Sequence, residues 1–208
     1  MDYPYKVSFC FGSRKRVRLL HKSLSSLFDL ADLSNLNFEV IIKVDFDDPV
    51  TIDYIKNHWT NQHENIKFII SARKKGYLSL KDFTEEMADI ARGEFICNWN
   101  DDVIVKTQNW NNIFENKLKD FKIYYPNVNI HRESFFAIPK QLKHILGYIG
   151  PINSLDLYMH QLAELCSISS YVDEVEYYHE YKSGDETWED RKLTFHQEEI
   201  ERQKLGRS

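Results

Sequence analysis

The sequence predicts an α/β fold with a mostly parallel central sheet flanked by helices, and three observations carry that expectation. Short apolar runs rich in β-branched and aromatic residues alternate with amphipathic helical patterns through the first half of the chain. One of those runs, Phe38–Val44 (FEVIIKV), is largely apolar, as expected of a strand covered on both faces. Gly12-Ser13, Pro49 and Arg92-Gly93 fall at the boundaries between the units.

Taken in order, Lys6–Phe11 (KVSFCF) reads as the first strand. Val17, Leu20, Leu24, Leu27 and Phe28 then recur at helical spacing, giving an amphipathic helix that ends near Asp29. After the strand Phe38–Val44, Pro49 suits the first turn of a helix whose buried stripe is Ile52, Ile55 and Trp59. Ile66–Ile70 is the third strand. Leu80, Phe83, Met87, Ile90 and Ala91 mark the next helix, with Gly93 as the residue that closes it. Glu94–Trp99 (EFICNW) is the fourth strand. Alternation of this kind implies parallel strands joined by right-handed crossovers.

The second half is less regular. Trp110, Ile113, Phe114 and Leu118 suggest a helix, Ile123–Ile130 an irregular strand region, and Phe135–Ile138 a short strand. A helix over Pro139–Leu146, a loop GYIGPINS (Gly147–Ser154), a helix from about Asp156 to Leu165 and a strand over Tyr171–Tyr178 complete the expected elements. The highly charged segment 181–208 reads as a terminal helix or as a lid over a bound ligand.

Bulk properties narrow the classes. At 208 residues, 42% apolar and 28% charged, the chain suits one globular domain. A formal charge of −5 counts against a general nucleic-acid coat and against a nuclease, both of which need a basic surface. Cys10, Cys97 and Cys166 match no metal-ligand spacing and read as reduced thiols. With no apolar targeting segment and no run long enough to span a membrane, the expected location is the cytoplasm.

Ligands of open α/β sheets bind outside the carboxyl ends of the strands, so the loops there are the expected place for a site. They carry Ser13, Arg14, Lys15 and Arg16 after the first strand, and Asp45, Asp47 and Asp48 after the second. Arg73, Lys74 and Lys75 follow the third, and Asn100, Asp101 and Asp102 the fourth. Carboxylates alone would repel an anion. Carboxylates holding Mn²⁺ or Mg²⁺ beside arginines make a site for a diphosphate, because these hard ions combine one or two carboxylates with phosphate oxygens and water. Each loop also has a plain structural reading: a solvated helix start at Arg14–Arg18, a turn and helix cap at Asp45–Asp48, and an ordinary turn at Asn100–Asp102.

From Lys6 to about His179 the chain resembles the GT-A glycosyltransferases, particularly small members like those of family 2. The strongest stretch is ARGEFICNWNDDV (Ala91–Val103), similar to that family's apolar strand and acidic DxD-type motif. KVSFCFGSRKR resembles its first strand and nucleotide-contacting loop, and VDFDD (Val44–Asp48) its second strand with acidic residues near base and ribose. Asn100 stands in the first acidic place of the motif, which moves the metal burden onto Asp102 and leaves Asp101 nearer the sugar or ribose.

The resemblance implies a single Rossmann-like domain over 1–180, with a nucleotide-sugar half (1–105) and an acceptor half (106–180). It implies transfer of a hexosyl or deoxyhexosyl group from a nucleoside diphosphate sugar, with a UDP-sugar as the expected donor, to a hydroxyl of a glycan or other acceptor. Ser13, Arg14, Arg16, Asp45, Asp47, Arg73, Asn100 and Asp101 are then the nucleotide-sugar contacts. Asp102 and His179 are the metal ligands, and Asp156 is the general base of an inverting transfer, with Glu133 as its runner-up. His179 also reads as a packing histidine, His131 is its nearest rival as a ligand, and Asp156 also reads as a charge at a helix N-terminus. The competing functions are a catalytically silent nucleotide- or glycan-binding module and a nucleotidyltransferase. The latter usually carries a glycine-rich loop, whereas only Gly12 precedes Ser13 here. GxxxxGK[ST] and GxGxxG patterns are absent.

Overall fold

Strand Phe38–Asp45 (β2) is buried along its whole length, and its side chains alternate between two cores. Phe38, Val40, Ile42 and Val44 join one apolar cluster, whereas Ile41 joins the other. This is the double coverage its largely apolar run foretells, with Glu39 and Lys43 buried among the apolar positions. The computed structural model describes residues 3–72, 78–150 and 155–180.

Before β2 come Tyr5–Ser13 (β1) and Val17–Asp29 (α1). After it come Pro49–Ile55 (α2), Ile66–Ser71 (β3), Leu78–Ile90 (α3) and Gly93–Asn98 (β4). The second half adds Val103–Val105 (β5), Trp110–Lys117 (α4), Ile123–Val128 (β6), Ala137–Pro139 (β7), Lys140–Leu146 (α5), Leu155–Leu165 (α6) and Ser169–His179 (β8). The apolar faces of α1, α2 and α4 supply Leu20, Leu24, Leu27, Ile52, Ile55, Trp110 and Phe114 to the first core. Met87 and Ala88 of α3, Leu142 of α5 and Met159 and Ala163 of α6 build the second. Each fully buried leucine contributes about 1.5–3 kcal/mol through water release.

The strands form an eight-stranded sheet in the order β3-β2-β1-β4-β7-β6-β8-β5. The β3-β2-β1-β4 half is parallel throughout. Beyond it, β7 runs antiparallel to both β4 and β6, and β8 runs parallel to β6 but antiparallel to β5. The expectation of a mostly parallel sheet is therefore corrected to a mixed one. The link from β6 to β7 holds only a 3-10 turn, Arg132–Ser134, and is too short for the crossover a parallel neighbour requires.

Local detail also differs from or adds to the expectations. Gly93 does not close α3 as a left-handed cap. It opens β4, where a Cβ would lie 2.6 Å from Ser8 N, so its small size serves close packing against β1. Among the described residues the left-handed glycine is Gly147, with φ 76°, which caps α5 by donating its N–H to Lys143 O at 2.8 Å. The helix after Pro49 continues as a π-helical turn, Lys56–Thr60, which still buries Trp59. The apolar trio Val103–Val105 proves to be a strand paired with β8.

Cys10 and Cys97 are buried free thiols, and burial pushes both well above the ordinary thiol pKa, which keeps them unreactive. No described helix is long and apolar enough to cross a membrane. The expected tail helix or lid over 181–208 and the second half of the GYIGPINS loop, 151–154, lie outside the described residues.

Candidate active site

The acidic turn sits where β4 leaves the sheet. Trp99 anchors it: the indole is buried, its Nε1 donates to Ser23 Oγ of α1 at 2.9 Å, and its ring packs edge-on against Tyr177 at 4.7 Å. Val103 N donates to Asn100 O at 3.3 Å, closing the turn that carries Asp101 and Asp102. Ser23 Oγ also reaches Asn100 O at 3.4 Å, tying the turn to α1. Both carboxylates are buried.

Two side chains, one from the end of β1 and one from the start of α1, meet this turn. Ser13 Oγ donates to Asp101 Oδ2 at 2.8 Å. The Arg16 guanidinium bridges the pair, with Nη1 at 3.0 Å from Asp101 Oδ1 and Nη2 at 2.6 Å from Asp102 Oδ2. Between them Lys15 adopts a left-handed backbone, φ 53°, and its N–H donates to Asp48 Oδ2 at 2.6 Å. That sparsely populated conformation lies between Arg14 and Arg16, which reach different carboxylates. Arg16 is also the N-cap residue of α1, and its side chain makes no capping bond there.

Arg14 takes the carboxylates at the end of β2. Its Nη1 lies 3.1 Å from Asp45 Oδ2 and 2.5 Å from Asp47 Oδ1, and its Nη2 donates to Asp47 Oδ2 at 3.0 Å. The other oxygen of Asp45 accepts from the buried Lys43 ammonium, which sits over the Phe83 ring 3.3 Å from its centroid. Burial pushes the Lys43 pKa down more than Asp45 raises it. Asp48 is the N-cap of α2, accepting from Thr51 N at 3.2 Å and Thr51 Oγ1 at 2.6 Å, so its role is structural.

His179 reaches the site through strand register. Val103 of β5 pairs with His179 of β8, and Glu180 N donates to Asp102 O at 2.8 Å just beyond that pair. The register brings His179 Nε2 to 3.2 Å from Asp102 Oδ1. Asn129 fixes the strand end, accepting from His179 N at 2.7 Å, and Phe135 packs edge-on against the imidazole at 5.0 Å. Burial raises the Asp102 pKa, but His179 and the Arg16 charge lower it by more, so the carboxyl lies below its ordinary value.

Asp156 opens the first turn of α6. Its Oδ2 accepts from Ser134 Oγ at 3.0 Å and its Oδ1 from Leu157 N at 2.9 Å. Ser134 O in turn accepts from Asn98 Nδ2 at 2.8 Å, so Asp156 is linked to the end of β4 by one intervening residue. Ser134 and Phe135 thus join the surroundings of Asp156 to those of His179. Glu133 and His131 are exposed, and Arg73 lies outside the described residues. Sequence reasoning missed Lys43 and Ser134. A lysine inside the apolar run FEVIIKV was a signal for the first; nothing in the sequence marked the second.

Asp102 and His179 could together give a divalent cation two donors. Asp102 Oδ1 is a buried oxygen that accepts no well-formed hydrogen bond, and it lies beside an imidazole nitrogen. No group of three or more His, Cys, Asp or Glu side chains that could hold a metal occurs among the described residues. Such a pair holds Mg²⁺ or Mn²⁺ only with phosphate oxygens and water completing the shell, which is how those ions bind at phosphate sites.

No protein-family model and no curated protein matches the sequence. Solved structures do match. TarS from S. aureus, residues 1–349, is similar with a TM-score of 0.61 at 13% identity, covering 84% of this chain and 60% of its own. The same protein in complex with UDP-GlcNAc gives 0.66 at 14% identity, covering 88% and 60%. The mannosyltransferase PcManGT from Pyrobaculum calidifontis, in complex with GDP-Man and Mn²⁺, gives 0.66 at 12% identity, covering 85% and 57%. This chain therefore spans 57–60% of the length of these proteins. Its architecture is that of the GT-A-like glycosyltransferase fold.

Proposed function

We propose that the chain is a metal-dependent glycosyltransferase that moves a sugar from a nucleoside diphosphate sugar, favouring a UDP-sugar, to an acceptor hydroxyl. The observation that carries this is the convergence of Asp101, Asp102, Arg16 and His179 at the carboxyl end of β4. It stands in a fold shared with proteins seen in complex with UDP-GlcNAc and with GDP-Man and Mn²⁺.

In this reading residues 1–105 hold the donor and 106–180 the acceptor. Asp45 and Asp47 face the nucleoside with Arg14 and Ser13, while Asn100 and Asp101 face the sugar side of the diphosphate. Asp102 and His179 would hold the cation, Mn²⁺ or Mg²⁺, which when bound would offset negative charge on the departing diphosphate. Arg16 adds a second positive charge for the same oxygens. Asp156 takes the proton of the acceptor hydroxyl as its oxygen forms the bond to the anomeric carbon. The bond from that carbon to the diphosphate breaks, and the electron pair leaves with the diphosphate. Ser134 Oγ holds the Asp156 carboxylate in place, so the base does not have to reorient during attack.

Release of UDP or GDP from UDP-GlcNAc, GDP-mannose and related donors, with Mn²⁺ and a panel of glycan acceptors, tests the reading. Metal-dependent release that needs Asp102 is the expected result. Binding of nucleotide without any turnover would instead favour a catalytically silent module.

A further inference from the structure

Arg16 brings a positive charge onto both carboxylates of the acidic turn. Its guanidinium spans two carboxylates at 3.0 and 2.6 Å, and the Asp101 oxygen it leaves is taken by Ser13 Oγ. One of the turn's two negative charges is thus offset by a side chain from the start of α1. One buried oxygen, Asp102 Oδ1, is left without a well-formed hydrogen bond and faces His179. A doubly charged ion at that oxygen would lie on the same carboxylate as the guanidinium. Like charges at such short range repel strongly in a partly buried site. We propose that Arg16 is the resident counter-cation of the Asp101-Asp102 turn, that a divalent cation binds by displacing it, and that the released guanidinium then engages the donor diphosphate.

The proposal rests on the glycosyltransferase reading and gives it an order. Cation binding removes Arg16 from the carboxylates, and diphosphate binding gives the displaced guanidinium a new anionic partner. Each ligand therefore raises the other's affinity by the same factor. Arg14 differs, because its partners Asp45 and Asp47 include no buried oxygen left without a hydrogen bond among the described residues. It remains a structural clamp while Arg16 moves. The exchange breaks and forms only ion pairs and coordination contacts, so no group is transferred.

The test titrates Mn²⁺ alone, and Mn²⁺ with UDP or GDP, following free Mn²⁺ by electron paramagnetic resonance. The proteins are the wild type, Arg16→Gln, Arg16→Lys and Asp102→Asn, with folding checked by circular dichroism. Without nucleotide, Arg16→Gln is expected to bind Mn²⁺ about 10-fold more tightly than wild type, the scale of one charge-assisted hydrogen bond. Arg16→Lys is expected to fall between the two, since a point charge bridges two carboxylates poorly. UDP or GDP is expected to raise Mn²⁺ affinity more in the wild type than in Arg16→Gln, and Asp102→Asn to weaken it in every state. If wild type binds Mn²⁺ with nucleotide but Arg16→Gln binds the ion no more tightly, the exchange is overturned and the site reading survives. Nucleotide binding that ignores Mn²⁺ and disappears in Arg16→Gln also overturns it, making Arg16 a permanent substitute for the ion. Failure of folded wild type to take up Mn²⁺ with either nucleotide removes both the exchange and the metal reading.

Discussion

Two arginines two residues apart hold four carboxylates from two different strand ends: Arg14 with Asp45 and Asp47, and Arg16 with Asp101 and Asp102. These pairs were legible in part, because each residue follows a strand and strand ends are where α/β ligands bind. Which arginine meets which carboxylate was not legible, since it depends on the left-handed backbone at Lys15 and on how the strands sit side by side. Asp156 shows the same division. Its place at the start of a helix can be read from the sequence, but its link through Ser134 to Asn98 joins three separate segments. Asp156→Asn is expected to retain donor binding while transfer falls by about 10²-fold or more, the scale of a lost general base. Steady-state transfer beside calorimetric donor binding measures both, and near-normal transfer would assign the base to another residue.

The elements of the first half were legible because each carries its own period and boundary signal; those of the second half depend on partners. β5 is only three residues long and becomes a strand by pairing with β8, which no local pattern announces. Gly93 misled for a related reason: a glycine after a helix suggests a cap, but this one is small because β1 lies against it. Gly93→Ala is expected to cost about 1–3 kcal/mol, the range for overpacking a tight contact, in a chemical denaturation experiment. An unchanged midpoint would show that β1 and β4 yield without strain.

Past the π-helical turn, His63 stacks on Phe28 and Trp59 with ring centroids 4.1 and 5.6 Å away. Burial lowers its pKa, so the folded state holds the neutral ring more strongly than the unfolded chain does. That contribution is full above the unfolded value of about 6.5 and is lost as pH falls through the lower folded value. His63→Phe, which keeps the packing without the titration, is expected to lose less thermal stability than wild type between about pH 7 and 5. Parallel melting curves across that range would assign no role to His63.

Across the whole molecule, the parallel half built from β3, β2, β1 and β4 supplies Arg14, Arg16, Asp45 and the acidic turn, whereas the mixed half supplies His179 and Asp156. The two halves meet at the β4–β7 pairing and through the Trp99–Tyr177 contact, so the site depends on both being folded together. The parallel half was foreseen from alternating strand and helix patterns. The antiparallel remainder was not, because short links rather than residue patterns set its directions. The most direct measurement is calorimetric binding of UDP, GDP, dTDP and ADP, each with and without Mn²⁺, to wild type and to Asp102→Ala. Binding of UDP or another of these nucleotides that requires Mn²⁺ and disappears in a folded Asp102→Ala variant is the expected result. Mn²⁺-dependent affinity that is unchanged in Asp102→Ala would contradict the assignment of this turn as the metal–diphosphate site.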